Sequence, residues 1–150
     1  MAEENTISNL MISHHVLLEV LFTLFRDEAK EKFPKHEAAL GELIWETRKH
    51  FFVEENAIFD FVKMENFGVL ETINHLKDEH ITMLLDLKRF SEDFSEITAS
   101  QIENFHNLLE HHREVEEKEL YPKLDKELRS EQKRQIIDRI NEIPLQKREI

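Results

Sequence analysis

The chain has 150 residues with two glycines, three prolines and 35% charged side chains, a balance that suits one helical domain much better than a sheet. A net charge of −12 argues against nucleic acid or an anionic membrane as partner, since both are held by Lys/Arg patches. With no cysteine there is no disulfide framework, thiolate nucleophile or sulfur-ligated metal.

No run of about 18 apolar residues is present to span a bilayer. The acidic start Met1-Ala2-Glu3-Glu4-Asn5 lacks the basic character of a signal peptide. A cytoplasmic domain covering residues 1–150 is therefore expected, with a core that buries roughly two thirds of the unfolded surface.

Thr6 or Ser8 caps a first predicted helix that runs to about Lys32. It is apolar on two adjacent stripes, Met11, Leu18, Phe22, Phe25 and Leu10, Leu17, Leu21, Leu24. Pro34 suits the first turn of a second helix, where its missing N–H would be unpaired anyway. That helix carries Leu40, Leu43, His50, Glu54, Ala57 and Phe61 at three- and four-residue steps, and Asn66-Phe67-Gly68 breaks it. The third helix shows Ile73, Leu76, His80, Met83, Leu87 and Phe90, alternating steps of three and four. After a polar break from Ser91 to Ser95, Thr98-Ala99-Ser100-Gln101 reads as a capping box. The fourth helix lines up Phe105, Leu109, His112, Glu116, Leu120 and Leu124, with a kink or early stop expected at Pro122. Ser130 is placed as the cap of a short fifth helix with Ile136, Ile137 and Ile140, ending before Pro144. The expected fold is all-α, an up-down-up-down four-helix bundle over about 6–128 with a short C-terminal helix over about 130–143.

One pattern occurs twice. His50-Phe51-Phe52-Val53-Glu54-Glu55 and His112-Arg113-Glu114-Val115-Glu116-Glu117 both read His-x-x-x-Glu-Glu, and both are followed by an aliphatic–aromatic pair, Ile58-Phe59 and Leu120-Tyr121. Residues four apart lie on one helix face. Each copy therefore presents an imidazole beside a carboxylate, which is a chelating unit.

In antiparallel neighbours, residues equally distant from the connecting turn share a level. The midpoint from His15 to His50 falls between Lys32 and Phe33, that from His50 to His80 at Glu65, and that from His80 to His112 at Glu96. Each is a turn identified on other grounds, so four histidines share one layer. Glu54 and Glu116 lie one turn away, about 5–6 Å along helices that run parallel. Unpaired carboxylates there would cost several kcal/mol each. Two divalent ions neutralise them, with two histidines per ion and both glutamates bridging. The nitrogen and oxygen donors suit iron or manganese, with zinc possible, and would leave about two positions open on an octahedral iron.

The remaining candidates separate by face. His14 lies on the adjacent stripe and is an alternative to His15, which aligns with His80 when the two hairpins are superposed. His111 is an alternative to His112, which the height argument favours. His36 reads as surface, His75 as a different face from His80, and Glu103-x-x-His106 as coincidence. Glu55 and Glu117, about 100° from their neighbours, are read as solvated or bonded to the ligands. The eleven phenylalanines are core that also keeps the pocket dry.

These residues, His15, His50-x-x-x-Glu54, Glu79-His80 and His112-x-x-x-Glu116 with the Leu120-Tyr121-Pro122 tail, resemble the hemerythrin-like (HHE cation-binding) domains over about 8–126. The resemblance implies two iron ions with an oxo or hydroxo bridge, held by bridging Glu54 and Glu116. It implies binding or sensing of dioxygen or a related small ligand such as nitric oxide or peroxide. The alternative is a redox enzyme or iron donor in nitric oxide or peroxide detoxification or iron–sulfur repair, working with a redox partner protein. The sequence departs from oxygen-carrying members at Leu76 and Leu84, one of which stands where they have a second third-helix histidine. Those members also have an aspartate five residues after the fourth-helix histidine, where this chain has Glu116 four from His112 and five from His111. The cysteine-containing segment common in repair members has no counterpart here. The lower histidine count favours sensing or reductive chemistry over long-term oxygen storage.

Overall fold

Thr6 stands just before the first helix, its Oγ1 accepting the Asn9 N–H at 3.0 Å, and α1 (Ile7–Glu31) follows. The structure, a computed structural model, describes residues 6–31, 37–65 and 68–142. The expected Pro34 start, His36, the Asn66-Phe67 part of the second break and Pro144 lie outside these residues.

α2 (Glu37–Val53) passes into a π-helical segment, Glu54–Phe59, and then into α3 (Asp60–Glu65). Val53 and Asp60 on either side are helical, with φ of −60° and −63°, so the three pieces form one rod. Gly68 turns the chain at φ 75°, a left-handed value that glycine adopts without steric cost. α4 (Leu70–Glu92) follows and outruns the expected break at Ser91; only Asp93 and a 3₁₀ turn, Phe94–Glu96, separate it from Ile97 and Thr98. The capping box forms as expected: Thr98 Oγ1 accepts the Gln101 N–H at 3.1 Å, and Gln101 Oε1 accepts the Thr98 N–H at 2.9 Å.

α5 (Ala99–Val115) runs through a second π segment, Glu116–Leu120, into α6 (Tyr121–Glu127). The early stop expected at Pro122 does not occur. Tyr121 N–H bonds back to the Glu116 carbonyl, five residues earlier, and this wider turn makes room for the Pro122 ring in the first turn of α6. α7 (Ser130–Glu142) also corrects an expectation, because Ser130 is already helical. The cap interaction comes instead from Gln132, whose Oε1 accepts the Arg129 N–H at 2.9 Å.

Among the described residues every regular element is helical. α1 packs on α2, α2 on α4, α4 on α5, and α6 returns to α1, giving the up-down-up-down bundle. The apolar interior is in two parts. One holds Met11, Ile58, Phe59, Ile73, Leu76 and Leu124 and is closed by Ile136 and Ile140 of α7. The other holds Phe22, Phe25, Leu43, Met83, Leu87, Phe90 and Phe105. A buried polar layer lies between them.

α1 requires one further correction. The Ile7–Lys30 stretch is long and apolar enough, at mean hydropathy 1.4, to cross a membrane by length and composition. The helix reads this way because it is apolar almost all round. Met11, Phe22 and Phe25 fill the core, while Val16, Leu17, Val20 and Leu24 are exposed on the outer side.

Candidate metal centre

The layer is built from His15 on α1, His50 on α2, His80 on α4 and His112 on α5, with Glu54 and Glu116 as the first residues of the two π segments. All six side chains are buried. The four rings turn Nε2 inward. His15 Nε2 is 3.1 Å from His50 Nε2, and His80 Nε2 is 3.1 Å from His112 Nε2. Glu116 Oε1 stands 3.0 Å from His15 Nε2 and its Oε2 stands 3.0 Å from His112 Nε2. Glu54 Oε1 stands 3.1 Å from His80 Nε2 and 3.5 Å from His50 Nε2. The donor atoms fall into two groups, His15, His50, Glu54 and Glu116, and Glu54, His80, His112 and Glu116, each within 4.8 Å. Both carboxylates belong to both groups.

The outward nitrogens are braced. His15 Nδ1 meets Glu117 Oε2 at 2.6 Å, His80 Nδ1 meets Glu55 Oε2 at 2.7 Å, and His112 Nδ1 meets Glu79 Oε1 at 2.8 Å. A carboxylate here accepts the Nδ1 proton, which fixes the tautomer that leaves an Nε2 lone pair facing inward. The π segments explain the pairing: each directs the first glutamate inward while the second reaches a histidine on a neighbouring helix. Glu55 and Glu117 therefore hold the His80 and His15 rings of the layer rather than being left to solvent. His50 Nδ1 is buried without such a partner, and His50 lines a cavity of about 110 Å³ together with His14, Glu46 and Lys49.

Tyr121 was legible as part of the repeat but not as a site residue. Its hydroxyl donates to Glu54 Oε2, and its ring lies 6.1 Å from that of His15. Phe59, its counterpart in the first copy, lies 5.8 Å from the His80 ring, and Phe51 stacks on that ring at 3.8 Å. The doubled glutamate and the aromatic five residues beyond the first are the signals in the sequence for these contacts.

Burial opposes charge on His112, but Glu116, Glu54 and Glu79 outweigh it and push the imidazole up to about 12. Burial likewise opposes charge on His15 and His80, whose carboxylate partners raise them. His50 is held well below its usual value by burial and by the neighbouring histidines. Burial works against ionised Glu54, yet His50 and its hydrogen-bond partners hold it well below the usual range, while burial and the Glu54 charge push Glu116 up.

The other candidates lie outside the two groups. His14 is half-buried with its ring 5.7 Å from that of His50, and His111 is 60% exposed. His75 is 61% exposed beside Glu79, and His106 stacks on Phe22 at 4.5 Å, with Glu103 exposed.

The donor set fits cations. Both oxygens of Glu116 are buried without a hydrogen bond, although two Nε2 atoms stand 3.0 Å away. Nitrogen and oxygen lone pairs so close, yet not aimed at one another as donor and acceptor, converge on shared points between them. Buried carboxylates left in that state cost several kcal/mol, and a cation offsets the cost. Neither the curated proteins nor the solved structures give a match to this chain. The Hemerythrin HHE cation binding domain family matches residues 5–140, nearly the whole sequence and all six layer residues, and the chain belongs to this family.

Proposed function

We propose that His15, His50, His80 and His112 with Glu54 and Glu116 hold two iron ions, and that this non-heme centre binds or senses dioxygen or a related small ligand such as nitric oxide or peroxide. The observation that carries the reading is the pair of four-donor groups sharing both carboxylates. Glu116 offers one oxygen to each pair of histidines and Glu54 offers Oε1 to both. A sulfur-free His/Glu set suits iron or manganese, with zinc possible, and membership of the hemerythrin family favours iron. When bound, iron supplies a redox-active Lewis acid with positions left for a small exogenous ligand.

The rest of the work falls to side chains. Glu117, Glu55 and Glu79 keep three imidazoles in the ligating tautomer. Tyr121 holds the second oxygen of Glu54. Phe51 and Phe59 pack against the His80 ring and exclude water there. Two histidines per ion, with Leu76 or Leu84 where an added imidazole would stand, favour sensing or reductive chemistry over long-lived storage. A redox partner protein and a cytoplasmic setting belong to the same proposal.

The deciding experiment is metal analysis with an optical spectrum on protein produced with iron available, taken anaerobically and then in air. Two irons per chain are expected; one or none would refute the di-iron reading. An optical change in air that persists for hours and reverses under vacuum would restore oxygen carriage in place of sensing.

A further inference from the structure

A second set of metal-binding side chains lies on the flank of the bundle. His75 and Glu79 stand one turn apart on α4, repeating the His-x-x-x-Glu spacing of the buried layer, and His111 faces them from α5. His75 Nε2 is 3.2 Å from Glu79 Oε2, and His111 Nε2 is 3.9 Å from the same oxygen. One donor atom from each of the three lies within 4.8 Å of the others. Donors on a tetrahedral ion with bonds of about 2.0–2.1 Å stand roughly 3.3 Å apart. The His75–Glu79 distance matches that value, the His111–Glu79 distance is longer by about 0.6 Å, and both imidazoles are exposed and free to close in.

Glu79 distinguishes this group from a chance pair of surface histidines. Its side chain is buried, and its other oxygen, Oε1, accepts from His112 Nδ1 at 2.8 Å. One fixed carboxylate thus touches an imidazole of the inner layer with one oxygen and two exposed imidazoles with the other. The other braces lack this arrangement. The outer oxygen of Glu117 faces Arg113 at 3.7 Å, a cation that opposes a metal. The Glu19, His106 and Glu110 group on that flank has a single histidine, and Glu110 is engaged by Arg113 at 2.5 Å.

We propose that His75, Glu79 and His111 form a solvent-facing site for a divalent cation of the zinc or ferrous class, through which metal is delivered to the buried layer. Three protein donors leave water on the ion, which suits exchange rather than permanent storage. The site stands on its own geometry; only the delivery role rests on the di-iron reading.

The test is a calorimetric titration of iron-loaded protein with Zn²⁺, comparing wild type with the His75→Ala/His111→Ala double variant. Both positions are exposed and outside the inner groups, so iron content should be unchanged. Wild type should take up one further zinc ion per chain, bound at least about tenfold more weakly by the variant. No further ion, or one bound equally well by both proteins, would overturn the site. If the chain proves to hold no iron, the same comparison on protein as isolated still reads the outer site as a difference of one zinc. For delivery, metal-free protein is mixed with ferrous iron. The variant should fill more slowly to the same final content, and equal rates would refute that role.

Discussion

At the residue scale, the two glutamates of each repeat have different work. Glu54 and Glu116 face inward, whereas Glu55 and Glu117 grip the Nδ1 atoms of His80 and His15. Glu54→Gln or Glu116→Gln should destroy two-ion stoichiometry. Glu55→Gln or Glu117→Gln should keep both ions but bind them about 10–100-fold more weakly, as loss of a ligand's supporting carboxylate does. Chelator competition with metal counting separates the outcomes, and equal loss from all four would mean that the inner and outer roles are misassigned.

Protons compete for the same atoms. Without metal His112 is pushed up to about 12, so it holds a proton at neutral pH that a metal must displace, and the carboxylates beside His15 and His80 raise those imidazoles as well. Metal uptake should therefore release protons, and affinity should rise with pH and fall on acidification. Titrations in buffers of different ionisation enthalpy read the proton count directly; affinity independent of pH between 6 and 8 would contradict histidine ligation. Tyr121 offers a third residue test. Tyr121→Phe removes the donor to buried Glu54 and should lower the stability of the metal-free protein by about 1–3 kcal/mol, measured by urea unfolding.

At the element scale, the two π segments set the register on which the layer depends. Each starts at a glutamate, and in each a later N–H reaches five residues back, Asp60 to Glu55 and Tyr121 to Glu116. Short π segments of this kind recur at functional sites because they re-aim side chains within a helix. Helix ends here are secured across the fold as well as locally. The Asp125 carboxylate on α6 accepts the N–H groups of Ile7 and Ser8 at 2.9 and 3.0 Å and so anchors the start of the helix that carries His15. Asp125→Ala should cost about 1 kcal/mol, the usual value of a lost cap. Urea unfolding would check it, and faster amide exchange confined to the first turn of α1 would locate the effect.

At the scale of the whole molecule, the buried polar layer divides the apolar interior in two, and a metal held there as proposed would offset that division. Removing it with a chelator should lower the thermal midpoint. A ligand held at 1,000 times its dissociation constant contributes about 4 kcal/mol to the folded state. Differential scanning calorimetry with and without chelator measures the shift. An unchanged midpoint would show that the layer is satisfied by its own protons.

How much of this was legible follows from range. The sequence by itself determined the helical class, the four-rod order, the Thr98 cap and the common level of His15, His50, His80 and His112. Those depend on periodicity, local capping and equal spacing about turns, all of which act along the chain. Only the tertiary structure decided that Glu55, Glu79 and Glu117 grip rings on neighbouring helices, that Tyr121 reaches Glu54, and that Pro122 passes without a stop. These partners lie 25 to 102 residues apart in the histidine braces, a separation that local spacing does not encode. The π turns that aim them are set by packing around the buried layer, because one extra residue in a turn costs little locally and is repaid only by contacts across the bundle.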